Sequence, residues 1–127
     1  SCGTGAFSGN VTLQANLDLQ DNDKILVGTG DDLQIYHNGS NSFIDDTGTG
    51  DLYIRASTNL FLQKYTGETT AKFIADGAVE LYHNNSKKLE TSASGVTVTG
   101  ALNATTNLRI NGEAVTTILD TWLYGGG

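Results

Sequence analysis

Residues Leu33-Gln34-Ile35-Tyr36-His37-Asn38-Gly39-Ser40 decide the fold, because they return as Val79-Glu80-Leu81-Tyr82-His83-Asn84-Asn85-Ser86, 46 positions further on (33 to 79). In both copies an aliphatic residue alternates with a polar or aromatic one, and two residues tolerant of positive φ follow. Alternation with period two places the aliphatic set on one face of an extended strand. Asn-Gly or Asn-Asn directly after it marks a tight turn into a hairpin. Tyr-His-Asn at matching positions makes the pair an internal repeat, a mark of stacked or fibrous architectures.

The repeat also predicts a register. At the same displacement Phe43 falls on Leu89. A three-residue hairpin loop with a bulge puts Phe43 on the face of Leu33 and Ile35, and Leu89 on the face of Val79 and Leu81. A two-residue loop sends Leu89 to the other face and leaves Lys88 in its place. The three-residue loop is therefore expected.

Outward from the repeats the period-two pattern continues in short bursts: Val11/Leu13, Leu17/Leu19, Ile25/Val27, Leu52/Ile54, Leu60/Leu62, Phe73/Ala75, Val96/Val98 and Leu108/Ile110. Between them lie turn signals such as Gly28-Thr29-Gly30, Thr47-Gly48-Thr49-Gly50, Thr66-Gly67, Asp76-Gly77 and Asn111-Gly112. The reading is all-β, with roughly ten to twelve short strands. Leu33, Ile35, Leu52, Ile54, Leu60, Leu62, Val79, Leu81, Val96 and Val98 form the phase expected to point inward. From Glu113 to Tyr124 the spacing of Val115, Ile118, Leu119, Trp122 and Leu123 predicts one short C-terminal helix, and Gly125-Gly126-Gly127 a linker. The organisation expected is a flexible segment over 1–10, a repetitive β region over 11–112 with repeat copies near 31–46 and 77–92, and a C-terminal segment over 113–127.

Composition agrees. Thr (17), Gly (16), Asn (11), Asp (10) and Ser (8) make up nearly half of the 127 residues, and Pro is absent, so Gly, Asn and Asp must make the turns. Large apolar residues amount to about a quarter of the chain, and 16 of the small ones are Gly, which bury no side chain. That is thin for a self-sufficient globule and favours a core shared with other chains. Without a Met, the chain is expected to be processed or an excerpt of a longer protein. No signal peptide is visible.

A formal charge of −7 argues against a nucleic-acid partner, which needs a basic patch, and against a polybasic membrane anchor. No run of 18 apolar residues exists to insert into a membrane. Cys2 has no internal disulfide partner and reads as a free thiol in a frayed end. His37 and His83 are the only histidines; three copies of either around a trimer axis would make a metal or anion site, while the plainer reading is that each ends a strand. Asp45, Asp46 and Asp51, like Asp18, Asp21 and Asp23, are oxygen-rich but lack the spacing of a twelve-residue calcium loop, so turn-forming roles are expected. No Ser/His/Asp arrangement stands out, and strands this short make a poor cleft for paired carboxylates. Tyr36, Tyr53, Tyr65 and Tyr82 fall in the polar phase or near turns, where exposed rings stack on sugars or simply cover a sheet face. Tyr36, His37, Tyr82 and His83 are the candidate surface-contact residues. No catalytic residue, cofactor or metal is expected.

Strings such as GDDLQIYHNGSNSFIDDTGTGDLYI, GAVELYHNNSKKLETSASGVTVTGAL and TTNLRINGEAV resemble tail-fibre and related virion appendage proteins of tailed bacteriophages, especially marine cyanophages. The resemblance covers roughly residues 29–115; the Tyr-His-Asn-Ser hairpin and the Lys-Leu-Glu-Thr…Gly-Val-Thr-Val-Thr-Gly tail are its most specific parts. It implies an elongated, intertwined homotrimeric fibre of the triple β-helix or β-prism kind, partnered by other virion proteins. It also implies a location in a virion appendage outside the cell, assembled in the host cytoplasm, with a host cell-surface glycan as a candidate partner. It transfers no catalytic residue. The thin apolar face of each strand agrees, since three chains together would complete the core and pair the strand edges. The functions to weigh are a structural fibre segment, a carbohydrate- or receptor-binding tip module, and a depolymerase. The spread of Tyr from 36 to 124 favours the shaft over the tip, and the enzyme is disfavoured because depolymerases usually need longer solenoid grooves.

Overall fold

The structure, a computed structural model, describes Gly3 and residues 5–114. Among these residues it is all-β, without helix. The strands are β1 (Lys24–Val27), β2 (Leu33–His37), β3 (Ser42–Asp46), β4 (Asn59–Gln63), β5 (Thr69–Ile74), β6 (Val79–His83), β7 (Ser86–Ser92), β8 (Gly95–Val98), β9 (Arg109–Ile110) and β10 (Glu113–Ala114). They fall into two units, divided after Ile54. The first holds an antiparallel three-stranded sheet β1-β2-β3; the second holds an antiparallel meander β4-β5-β6-β7-β8 and the β9-β10 hairpin.

Several expectations change. The alternating pairs Val11/Leu13, Leu17/Leu19 and Leu52/Ile54 form no strand: among the described residues no strand pairs with them to complete a ladder. Glu113 and Ala114, the start of the expected helix, pair with β9 as strand around Asn111-Gly112, both at positive φ; the rest of that expectation, like Cys2, lies outside the described residues.

The hairpins also differ from the expected three-residue loop. In the first copy His37 pairs with Ser42, so residues 38–41 form a four-residue loop. The Asn38 side chain holds it by accepting from the Ser40 and Asn41 amides (3.0 and 2.8 Å). Phe43 therefore lies opposite Tyr36, on the polar face, and Ile44 lies opposite Ile35. In the second copy the loop has two residues, Asn84 and Asn85, at φ 51° and 60°. This is the backbone shape of a twisted hairpin turn. A bulge between Leu81 and Tyr82 then restores Leu89 opposite Leu81. Leu89 thus reaches the expected face by a bulge in the ladder, and its counterpart in the first copy is Ile44.

The repeat extends upstream. Ile25, Leu26 and Val27 face Ile35, Gln34 and Leu33, as Ala71, Lys72 and Phe73 face Leu81, Glu80 and Val79. β1-β2-β3 and β5-β6-β7 are two copies of one three-stranded unit.

Candidate functional site

Each sheet has two unlike faces. On one face of the first sheet Ile25, Ile35 and Ile44 form a row across all three strands, flanked by Val27 and Leu33. On the second, Leu62, Ala71, Leu81, Leu89 and Val98 form a row across five strands, and Leu60, Phe73 and Val79 run beside it, with Val96 opposite Thr91. Alternation along a strand puts them there, as the period-two pattern requires. Ala71 apart, these side chains are only partly covered among the described residues. Ile44 is 60% exposed, Leu81 43% and Val96 62%. Among the described residues only Ala71 and Glu80 are buried. In the first unit Leu19 and Gln20 border the isoleucine row, and together they make a shallow concavity of about 480 Å³ with Asp23 and His37 among its lining residues.

The opposite faces are polar and internally bonded. In the first unit the Tyr36 hydroxyl donates to Asp45 Oδ2 (3.0 Å), its ring stacks on Phe43 at 4.8 Å, and Lys24 Nζ lies 4.4 Å from its centroid. Lys24 also donates to Gln34 Oε1 (2.7 Å). In the second unit Glu80, only 8% exposed, accepts from the Tyr82 hydroxyl (2.7 Å) and from Lys87 Nζ (3.2 Å), and Lys87 also pairs with Glu90. A carboxylate taken out of water is costly unless hydrogen-bonded and paired; here it is both.

Ionisation follows the contacts. The hydrogen bond to Asp45, then burial and the Asp45 charge, raise the Tyr36 hydroxyl above its ordinary value. The Tyr82 hydrogen bond first, and the Lys87 bond second, hold the Glu80 carboxyl below its ordinary range against the opposing effect of burial. The same bond raises Tyr82, and Glu90 followed by Glu80 raise Lys87.

The candidate contact residues divide between these faces. Tyr36 and Tyr82 are half-buried in the polar networks, while His37 and His83 are exposed at strand ends next to their turns. His37 Nδ1 lies 3.0 Å from Ser42 Oγ, its cross-strand partner. Tyr53 and Tyr65 are exposed. Asp23 Oδ2 accepts from the Gln20 amide (3.3 Å) and Asp46 Oδ1 from the Gly48 amide (3.3 Å), but Asp45, expected in a turn, lies within β3 and binds Tyr36 across the strands. Among the described residues no three His, Cys, Asp or Glu side chains are grouped to hold a metal ion, and no helix is long and apolar enough to cross a membrane.

Sequence reading passed over two groups. Glu80 occupies the place of Gln34 in the repeat and was available as a charge at a repeat position, but its burial depends on Lys87 and Tyr82 meeting it across the sheet. Asp32 is the other: Gly28, Gly30 and Gly48 pack around its side chain so closely that a Cβ at Gly28 would stand 2.6 Å from Asp32 Oδ2 and one at Gly48 2.9 Å from its Cβ.

No protein-family model matches the chain, and neither a curated protein nor a solved structure matches it.

Proposed function

We propose that the chain is a non-catalytic structural segment of a tailed-phage fibre or related virion appendage, working as a homotrimer that links or positions virion parts and aids attachment to the host. One observation carries this reading. Among the described residues both sheets leave an ordered apolar row largely uncovered, while the polar side chains satisfy one another on the opposite face. Exposed apolar patches of this extent are a feature of interaction surfaces, and a chain so poor in buried side chains gains its stability from partners. The resemblance of residues 29–115 to fibre proteins adds the setting: a location on the virion, outside the cell, among other virion proteins. The polar faces favour the shaft over the tip module, because Tyr36 is already engaged in register by Lys24 and Phe43, and the Tyr82 hydroxyl by Glu80.

Mass measurement in native buffer should give three chains, and the fragment incubated with host cells and polysaccharides should release no reducing sugar. A folded monomer at micromolar concentration would sink the fibre reading; released sugar would make the protein a depolymerase. Saturable glycan binding without release would move the function to the tip module.

A further inference from the structure

We infer that the five-stranded sheet joins a second copy of this chain edge to edge, β8 of one copy running parallel beside β4 of the next; this rests on the homotrimer reading. The edges of the two sheets are treated differently. The outer strands of the three-stranded sheet carry charge, Lys24 on β1 and Asp45 and Asp46 on β3. Such charges discourage another strand from pairing there. The outer strands of the five-stranded sheet, Asn-Leu-Phe-Leu-Gln in β4 and Gly-Val-Thr-Val in β8, carry none, and no charged residue or proline occurs between Glu90 and Arg109.

The direction of the backbone groups makes the two edges fit each other. The Thr99 amide donates to Lys88 O, so in the alternating antiparallel ladder Thr97 and Gly95 also bond inward and the N–H and C=O of Val96 and Val98 point away from the sheet. On β4, the Lys64 amide donates to Glu68 O and the Thr70 hydroxyl to Leu62 O. Leu60 and Leu62 therefore bond inward, and Asn59, Phe61 and Gln63 present their groups outward. In a parallel ladder an outward-facing residue sets its two bonds on the residues before and after its neighbour. Val96 beside Leu60 of the next copy then bonds that copy's Asn59 and Phe61, and Val98 beside Leu62 bonds its Phe61 and Gln63. All four neighbours in this register, Val96, Leu60, Val98 and Leu62, lie on the apolar face, so both apolar rows continue across the junction. Four antiparallel reversals make β4 and β8 point the same way, so one contact repeated about an axis uses every edge and closes. A two-fold β8–β8 contact would leave each β4 edge unpaired.

The test places cysteines at Leu62 and Val98 in the full chain, with Cys2→Ser removing the native thiol. Within one chain these positions are four strand spacings apart, roughly 19 Å, beyond disulfide reach; adjacent across the junction they are within it. Mild oxidation of L62C/V98C should give covalent dimers and trimers that dissolve to single chains on reduction, and neither single variant should crosslink. L60C/V96C repeats the measurement should the first pair fail to fold. A native trimer that does not crosslink with either pair would overturn the edge pairing and leave the homotrimer standing. V98C alone linking in pairs would overturn it in favour of a β8–β8 contact. A monomer would remove both readings.

Discussion

Truncating Leu81 separates an apolar face that is merely exposed from one that is covered by neighbouring chains. Leu81 stands in the middle of the row Leu62–Ala71–Leu81–Leu89–Val98 and is 43% exposed within its own chain. Taking a leucine side chain wholly out of water stabilises by about 1.5–3 kcal/mol. With a little over half of the residue covered, Leu81→Ala in an isolated chain should cost about 1–2 kcal/mol on that scale. If neighbouring chains complete the cover, the change becomes a core truncation costing about 2–5 kcal/mol per chain, because a cavity is added to the lost transfer energy. All chains of a trimer carry the substitution, so the assembly would lose about 6–15 kcal/mol. Urea unfolding followed at several protein concentrations distinguishes the cases: the wild-type midpoint should rise with concentration, as it does when association is linked to folding, and Leu81→Ala should shift it by the larger amount. Leu81→Asp should abolish assembly, since a carboxylate would be buried there without a partner. A concentration-independent midpoint with a cost near 1 kcal/mol, or a stable trimer carrying Leu81→Asp, would refute the reasoning.

Three further outcomes follow from the site. Glu80 is held below its ordinary 4.5, so its contribution is present above that pH and is lost as pH falls through the lower folded value; Glu80→Gln should flatten the acid limb of stability against pH, read by circular dichroism. Tyr36 and Tyr82 are raised above the ordinary 10.0, so the stability they add is present below pH 10 and disappears as pH rises through their folded values; Asp45→Asn should bring one tyrosine back toward 10 in a spectrophotometric titration. Dialysis against a chelator should leave the melting temperature unchanged, and a drop would return His37, His83 and the aspartate loops to consideration as ligands.

Much of the candidate site was legible in residue order. The alternation at Leu33/Ile35 and Val79/Leu81 places those residues on one face whatever their neighbours, because successive side chains of a strand must point to opposite sides. Asn-Gly after the first Tyr-His and Asn-Asn after the second mark the turns, because these residues tolerate positive φ. The low apolar content already implied a chain with little core, and the all-β class followed from Thr, Asn and Gly together.

Register was decided only in three dimensions. Two loops of almost equal sequence differ in length, four residues at Asn38 and two at Asn84, and a bulge beside Leu81 compensates in the second copy. The choice depends on cross-strand hydrogen bonds between residues that the local sequence does not link, so Ile44 rather than Phe43 took the apolar position. Tertiary structure alone also buried Glu80, by bringing Lys87 and Tyr82 to it. It set the outward backbone groups of β4 and β8 as well: side-chain alternation names the face a residue occupies, but which edge its amide addresses is known only when the partner strand is in place.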